Sequence, residues 1–245
     1  MSDLSYPHIK FIAWDMGDTL IQLKQPVKVI AAQKISVELG AQIDTAAFDQ
    51  AFGAEWRRRE DPRELDRIRD VSTKRKEFSY WIGFYGKLLE RMGLYAPSDE
   101  LLIWLANMQA SPQYWEPVDG AIDTVQALHD LGYPQGLISN AFPSAVVILK
   151  DLKLWDYFEV VILSYVERTV KPELEIYFRA ARSAGLRPQE MLFIDDRVSF
   201  VEGAKKAGFR PVWYNKGGIH EGWDGEKITH LSQIQKLIEK GRGGG

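Results

Sequence analysis

The stretch "FIAWDMGDTL" (residues 11–20) runs from four apolar positions straight into an acid, and a second acid follows three residues later. With Ile9 and Lys10 in front of it, the segment 9–14 reads as a strand buried on both faces of a parallel sheet. Asp15 then falls at the carboxyl end of that strand, where open α/β sheets place their ligands. Burying a carboxylate there is costly unless a cation, a donor or a substrate compensates it. The same residues also suit a plain strand-to-loop turn, because Asp, Gly and Thr all favour turns. The rest of the chain decides between the two.

Outward from this segment, further apolar runs stand at 135–139 (QGLIS), 160–165 (VVILSY), 191–194 (MLFI) and 210–214 (RPVWY). Helical spacing lies between them. Ala121, Val125 and Leu128 recur at i, i+4, i+7 before Gly132, and Leu174, Phe178 and Ala181 do so before Gly185. From residue 113 the pattern is αβαβαβ, which predicts an α/β doubly wound parallel sheet. Residues 21–112 are instead helical almost throughout. Val27, Ala31, Ile35 and Leu39 form one stripe, and Phe78, Trp81, Ile82, Tyr85, Leu88, Leu89 and Met92 a longer one. Leu101, Trp104, Leu105 and Met108 form a third, and Asp61-Pro62-Arg63-Glu64 has the form of a helix start. The expected organisation is a core of 1–20 and 113–245, with a helical bundle of 21–112 inserted after the first strand. The final GRGGG, 241–245, is expected to be a disordered tail.

Composition narrows the function classes. A chain of 245 residues, 45% hydrophobic and 27% charged, is an ordinary globular protein able to bury its own core. A net charge of −3 offers no pull toward a polyanion, so no nucleic acid partner is expected. The absence of cysteine excludes disulfides, thiolate nucleophiles and Cys-ligated zinc, and fits a cytoplasmic location. No signal peptide is visible, and no apolar run approaches a membrane span, so no membrane partner is expected either. The histidines at 8, 129, 220 and 230 form no paired-ligand spacing, and there is neither a GxSxG elbow nor a GxxxxGK[ST] loop. Residues 55–77 hold nine basic and seven acidic side chains, the mixture of a solvated helix face.

Three more strand ends carry chemistry. Ser139 and Asn140 follow the 135–139 strand, and Lys171 stands immediately before a helix expected to start at Pro172, after the 160–165 strand. Asp195 and Asp196 close the 191–194 strand. Each taken singly reads as a cap, a surface cation or a turn. Together they deliver carboxylates, a hydroxyl and a cation to one edge of one sheet. Adjacent acids repel without a positive partner, and Mg²⁺ between Asp15 and Asp196 resolves that repulsion.

The order and spacing of these four motifs resemble the haloacid dehalogenase-like (HAD) hydrolase superfamily, in its subgroup with a C1-type helical cap between the first and second motifs. The resemblance covers nearly the whole chain and implies a Rossmann-like core. It implies a Mg²⁺-dependent hydrolase, a phosphatase acting on a small phosphorylated metabolite through an aspartyl-phosphate intermediate. Asp15 matches the nucleophile, and a carboxylate needs no base to activate it near neutral pH. Mg²⁺ is then held by the Asp15 carboxylate, the Gly17 carbonyl and Asp196. Ser139 and the Asn140 backbone N–H match the phosphate-holding position, Lys171 matches the cation of the third motif, and Asp195 is expected to orient Lys171 or a metal-bound water.

Two positions depart from the family pattern. The commonest pattern places a second Asp two residues after the nucleophile, as general acid; here that residue is Gly17, and the acid stands at Asp18. Neighbouring side chains of an extended segment point apart, so Asp18 is expected to stabilise the turn instead. Loss of a positioned general acid costs ~10²–10⁴-fold and falls hardest on poor leaving groups. Further on, Phe200 occupies the place of the usual Asp or Asn four residues after the metal-binding acid, which would loosen the metal. The alternatives are a 2-haloacid dehalogenase-type hydrolase, which works without metal, and a catalytically weak or inactive HAD-fold binding protein. Substrate identity, pathway and oligomeric state are not encoded in any motif.

Overall fold

The computed structural model describes residues 8–59, 61–218 and 222–242. The chain opens with β1 (Phe11–Trp14) and β2 (Ile21–Leu23), then five helices: α1 (Gln25–Leu39), α2 (Thr45–Arg58), α3 (Pro62–Asp70), α4 (Lys74–Arg91) and α5 (Asp99–Ala110). Next come β3 (Trp115–Pro117), α6 (Ala121–Asp130), β4 (Gln135–Ser139), α7 (Ser144–Asp151), β5 (Val160–Leu163), α8 (Ser164–Glu167) and α9 (Leu174–Ala184). The remainder is β6 (Met191–Asp195), α10 (Val198–Lys206), β7 (Arg210–Tyr214), β8 (Lys227–Ile228) and α11 (Gln233–Arg242). Two compact units result: Met1–Gln22 with Pro117–Ala141 and Leu152–Gly245, and Leu23–Glu116 with Phe142–Asp151.

The first unit holds a parallel sheet of order β5-β4-β1-β6-β7-β8. The chain starts in its middle, steps out to β4 and β5, and returns to the other side of β1 as β6. The strand order therefore reverses beside β1, which opens a crevice at the carboxyl ends of its neighbours. Residues alternate across the sheet. Phe11 and Ala13 join Ile138, Ile162, Tyr177 and Phe193 in one buried cluster. Trp14 donates from Nε1 to Gln135 Oε1 at 2.9 Å, and Gln135 Nε2 donates to the Val125 carbonyl at 2.8 Å, so this buried polar pair is satisfied. Gly136 is required by close packing. A Cβ there would sit 2.4 Å from the Val160 carbonyl oxygen and 2.7 Å from the Phe11 ring.

Several boundaries differ from the sequence reading. β5 stops at Leu163, because Ser164 turns the chain into α8 and its Oγ donates to the Ala141 carbonyl at 3.1 Å. Pro172 does not start α9, which begins at Leu174. Thr169 Oγ1 donates to Glu173 Oε2 at 2.8 Å and Glu173 N to the Val170 carbonyl at 2.8 Å, so a closed loop carries Lys171 ahead of the helix. β2, β3 and β8 are two or three residues long and show no period to read. Gly241 and Arg242 end α11 rather than beginning a tail, and residues 243–245 lie outside the described residues.

In the second unit most positions of the apolar stripes pack inward, while Leu39, Phe78, Ile82, Met92 and Trp104 are half-buried. Val27, Ala31 and Ile35 of α1, Trp81, Tyr85, Leu88 and Leu89 of α4, and Leu101, Leu105 and Met108 of α5 are buried. Gly40 ends α1 with φ +62°, and Asp44, Asp61, Thr73 and Ser98 cap α2 to α5 through their side-chain oxygens. Trp81 packs in this core, stacked on Trp56 at 6.1 Å and edge-on to Phe142 at 5.3 Å. Phe142–Asp151, part of the alternating strand–helix pattern in sequence, cluster with these helices. Buried Glu77 of α4 accepts from Ser144 N at 3.0 Å at the start of α7 and also from Ser144 Oγ. Burial raises its pKa, and those two bonds only partly oppose the rise.

Candidate active site

The strand register assembles the site. Trp14 lies opposite Leu137 on one side and Ile194 on the other, so Asp15 comes level with Asp195, next to the end of β4. The Asp15 amide fixes this by donating to the Ile194 carbonyl at 2.8 Å. Lys171 enters from the loop before α9, and its side chain is fully buried. Its Nζ donates to Asp15 Oδ1 at 2.5 Å and to Asp195 Oδ2 at 2.6 Å. Ser139 Oγ donates to the same Asp15 Oδ1 at 3.2 Å. Asp15, Ser139, Lys171 and Asp195, spread over the sequence, thus form one hydrogen-bonded cluster.

Asn140 holds that cluster in place by a contact the sequence does not suggest. Its Nδ2 donates to the Lys171 carbonyl at 2.9 Å, and its Oδ1 accepts from the Lys171 amide at 2.7 Å. The side chain of Asn140 thereby clamps the backbone that delivers the lysine. Adjacent Asp195 and Asp196 turn to different partners, as neighbours on an extended chain must. Asp195 spends both oxygens, Oδ2 on Lys171 and Oδ1 on the Arg197 amide at 2.8 Å. Asp196 meets Thr19 instead. Its Oδ1 accepts from Thr19 Oγ1 at 3.4 Å, and its amide donates back to that oxygen at 3.2 Å.

The loop after β1 explains the second acid of the opening stretch. Asp18 is exposed, with φ +61°, and its amide donates to the Ile21 carbonyl at 2.7 Å. Aspartate is among the residues that tolerate this left-handed geometry, so Asp18 shapes the turn. Thr19 was legible only as a turn residue; its distance from Asp196, 177 positions, hides the contact. Phe200 also gains a role. Its ring lies 4.8 Å from Lys171 Nζ and that of Phe193 5.3 Å, so two aromatic faces line the buried ammonium. Tyr177 holds the Phe200 carbonyl through its hydroxyl at 2.8 Å, and Trp213 Nε1 holds that of Asp196 at 2.9 Å.

The electrostatics of the cluster are unbalanced. Burial works against the Lys171 charge, but Asp15 and Asp195 outweigh it and hold its pKa above the ordinary lysine value. Burial and then the Asp15 charge push Asp195 up to about 7, against the pull of Lys171. Asp196 stands well above the usual carboxylate range, from burial first and then from Asp195, Asp18 and Asp15. Oxygens of Asp15, Asp195 and Asp196 lie within 4.8 Å of one another. Such a set, all hard carboxylate oxygens and short of positive charge, fits a cation of the Mg²⁺ or Ca²⁺ type.

A family model described as haloacid dehalogenase-like hydrolase matches residues 9–208. The chain belongs to that family. It is an enzyme of this hydrolase class, and the Rossmann-like sheet is the family's fold. Among curated proteins it is 28% identical to a glyceraldehyde 3-phosphate phosphatase of Pyrococcus furiosus, over 96% of this chain and 95% of the relative. A protein of the same name from Pyrococcus abyssi is 32% identical, over 94% and 91%. Among solved structures, a HAD phosphatase from Thermococcus onnurineus superposes with a TM-score of 0.64 at 24% identity, covering 96% of this chain and 100% of the other. An L-2-haloacid dehalogenase from Xanthobacter autotrophicus gives 0.68 at 20% identity, covering 97% and 100%. These two likenesses concern the fold.

Proposed function

We propose that the protein is a Mg²⁺-dependent phosphatase that hydrolyses a small phosphorylated metabolite through an aspartyl-phosphate on Asp15. The observation that carries this reading is the pairing of Asp15 with Lys171 at 2.5 Å, beside Asp196 and at the end of the central strand. The phosphatase names of the relatives identical at 28% and 32% support it. In the first step an Asp15 oxygen bonds to phosphorus while the bond from phosphorus to the leaving oxygen breaks. Water then attacks the same phosphorus, frees inorganic phosphate and regenerates the carboxylate.

Lys171 stays charged at working pH and draws the phosphoryl oxygens toward Asp15. Ser139 Oγ and the Asn140 N–H hold those oxygens. Asp195 and the Asn140 side chain fix Lys171 from opposite ends, by its ammonium and by its backbone. In the family pattern Asp15, the Gly17 carbonyl and Asp196 are the groups that would hold the metal, with Asp195 engaged by Lys171 and the Arg197 amide. Bound there, Mg²⁺ would neutralise charge on the transferring phosphoryl group.

Gly17 leaves no side chain to protonate the leaving oxygen, so acyl and aryl phosphates should be turned over faster than alkyl ones. A haloacid fits less well, since its carboxylate would meet three acids. Among the described residues no helix is long and apolar enough to cross a membrane, and the cysteine-free chain suits the cytoplasm. The test is phosphate release from acetyl phosphate, p-nitrophenyl phosphate and a sugar phosphate, with Mg²⁺ or chelator, for wild type and Asp15→Asn. Turnover that needs both Mg²⁺ and Asp15 is expected. Turnover that survives Asp15→Asn would refute the proposal.

A further inference from the structure

The mixed charges of residues 55–77 do not form an evenly solvated face. Between α3 and α4 lies a cavity of about 570 Å³, and five cations line it: Arg58, Arg67, Arg75, Lys76 and Lys87. Glu64 and Asp70 are the acids of the same lining. Glu64 is buried and already shared, with Arg58 Nη1 at 2.6 Å, Arg67 Nη1 at 3.2 Å and Lys87 Nζ at 3.4 Å. Arg58 also reaches Glu55 at 2.7 Å, and Glu55 takes Arg91 at 2.8 Å. Two carboxylates therefore serve four cations in this network.

The rest of the lining adds to the excess. Asp70 at 3.0 Å offsets Lys76, but Arg75 has no ion-pair partner among the described residues. Lys74, Arg75 and Lys76 also occupy the first turn of α4, the end of a helix where the macrodipole disfavours cations. Like charges gathered around a concavity, beyond what the local acids neutralise, create a focused positive potential. Val71, Tyr80 and Phe84 supply an apolar wall, and Thr73 and Ser79 hydroxyls. A volume of that order suits a metabolite rather than a single ion.

We infer that this cavity of the helical unit binds a small organic polyanion, one with at least two phosphate or carboxylate charges and an apolar body lying against Tyr80 and Phe84. The inference stands on the helical unit alone and does not depend on the phosphatase reading. The test is calorimetric titration of the full chain with pyrophosphate, in chelator and at low, fixed ionic strength. Arg75→Glu and Lys87→Glu run beside Lys236→Glu, a charge reversal on α11. Melting curves accompany each variant. The expected result is saturable binding that weakens by about tenfold or more in both groove variants and stays near wild type in Lys236→Glu. Absence of binding, an equal loss in Lys236→Glu, or binding retained in the groove variants would overturn it. If Lys87→Glu unfolds because Lys87 neighbours buried Glu64, the exposed Arg75 decides.

Discussion

Gly17→Asp restores a carboxyl two residues after the nucleophile, on the same side of the chain as Asp15. The structure admits it. A Cβ on Gly17 would meet nothing within 4 Å, and the backbone there lies outside the left-handed region. Asp15, Asp18 and Asp196 surround the new group with negative charge, which favours its protonated form and so its use as an acid. A positioned general acid contributes ~10²–10⁴-fold, or about 2.7–5.4 kcal/mol of barrier. That gain should appear with an alkyl phosphate such as glycerol phosphate, whose alkoxide needs a proton. Acetyl phosphate leaves as a stable carboxylate and should change by less than about threefold. The assay compares kcat/KM for the two substrates at saturating Mg²⁺, with melting temperatures recorded beside them. Asp18→Asn serves as control, since asparagine keeps the left-handed turn, and it should shift neither substrate. An equal change for both substrates, or no alkyl gain in a folded and acetyl-phosphate-active Gly17→Asp protein, would refute the reasoning.

Lys171→Met strands Asp15 and Asp195 in the interior, which should cost about 3–5 kcal/mol in urea unfolding and about 10²–10³-fold in phosphate release. Adding Asp195→Asn should return part of that stability, and strictly additive single-variant costs would contradict the shared pairing. Gly136→Ala forces a methyl to within 2.4 Å of the Val160 carbonyl and should cost about 1–3 kcal/mol, with turnover per folded molecule unchanged; an unaltered urea midpoint would show that the strands part freely. The pH dependence of stability should depend on metal. Asp195 rises from 3.8 to about 7 on folding, so the native state binds its proton more tightly than the unfolded chain. Its contribution is full below about pH 4 and is lost as pH climbs through about 7. In chelator the melting temperature should fall over that window, and Mg²⁺ should flatten the fall; parallel curves with and without Mg²⁺ would refute the linkage.

The sheet was legible because its central strands are buried on both faces and so read as unbroken apolar runs, as at Phe11–Trp14 and 191–194. Short edges such as β2 and β8 carry too few residues for any pattern. Proline often opens a helix, but α9 starts two residues after Pro172 because the Thr169–Glu173 loop takes the proline up first. At the site, residue types and strand-end positions could be read, but partnerships could not. Asp15 and Lys171 lie 156 positions apart, and the clamp between Asn140 and Lys171 uses backbone groups that every residue but proline possesses. Phe200 looked like a missing polar group. Its ring proves to be part of the surroundings of the lysine.

That ring also bears on how three acids can share so small a space. Lys171 divides them into a pair that it bridges and only half neutralises, Asp15 and Asp195, and Asp196, which has Thr19 as its side-chain partner. Asp196 also feels the attraction of Arg197, yet burial and the three neighbouring acids prevail. A carboxylate or amide at position 200 would stand close to the ammonium and compete for its hydrogens. An aromatic face instead attracts the charge without accepting those hydrogens, so the two short bonds to Asp15 and Asp195 are kept. The unmet negative charge is thereby confined to the edge between Asp15 and Asp196. A hard divalent cation can act there without displacing the lysine.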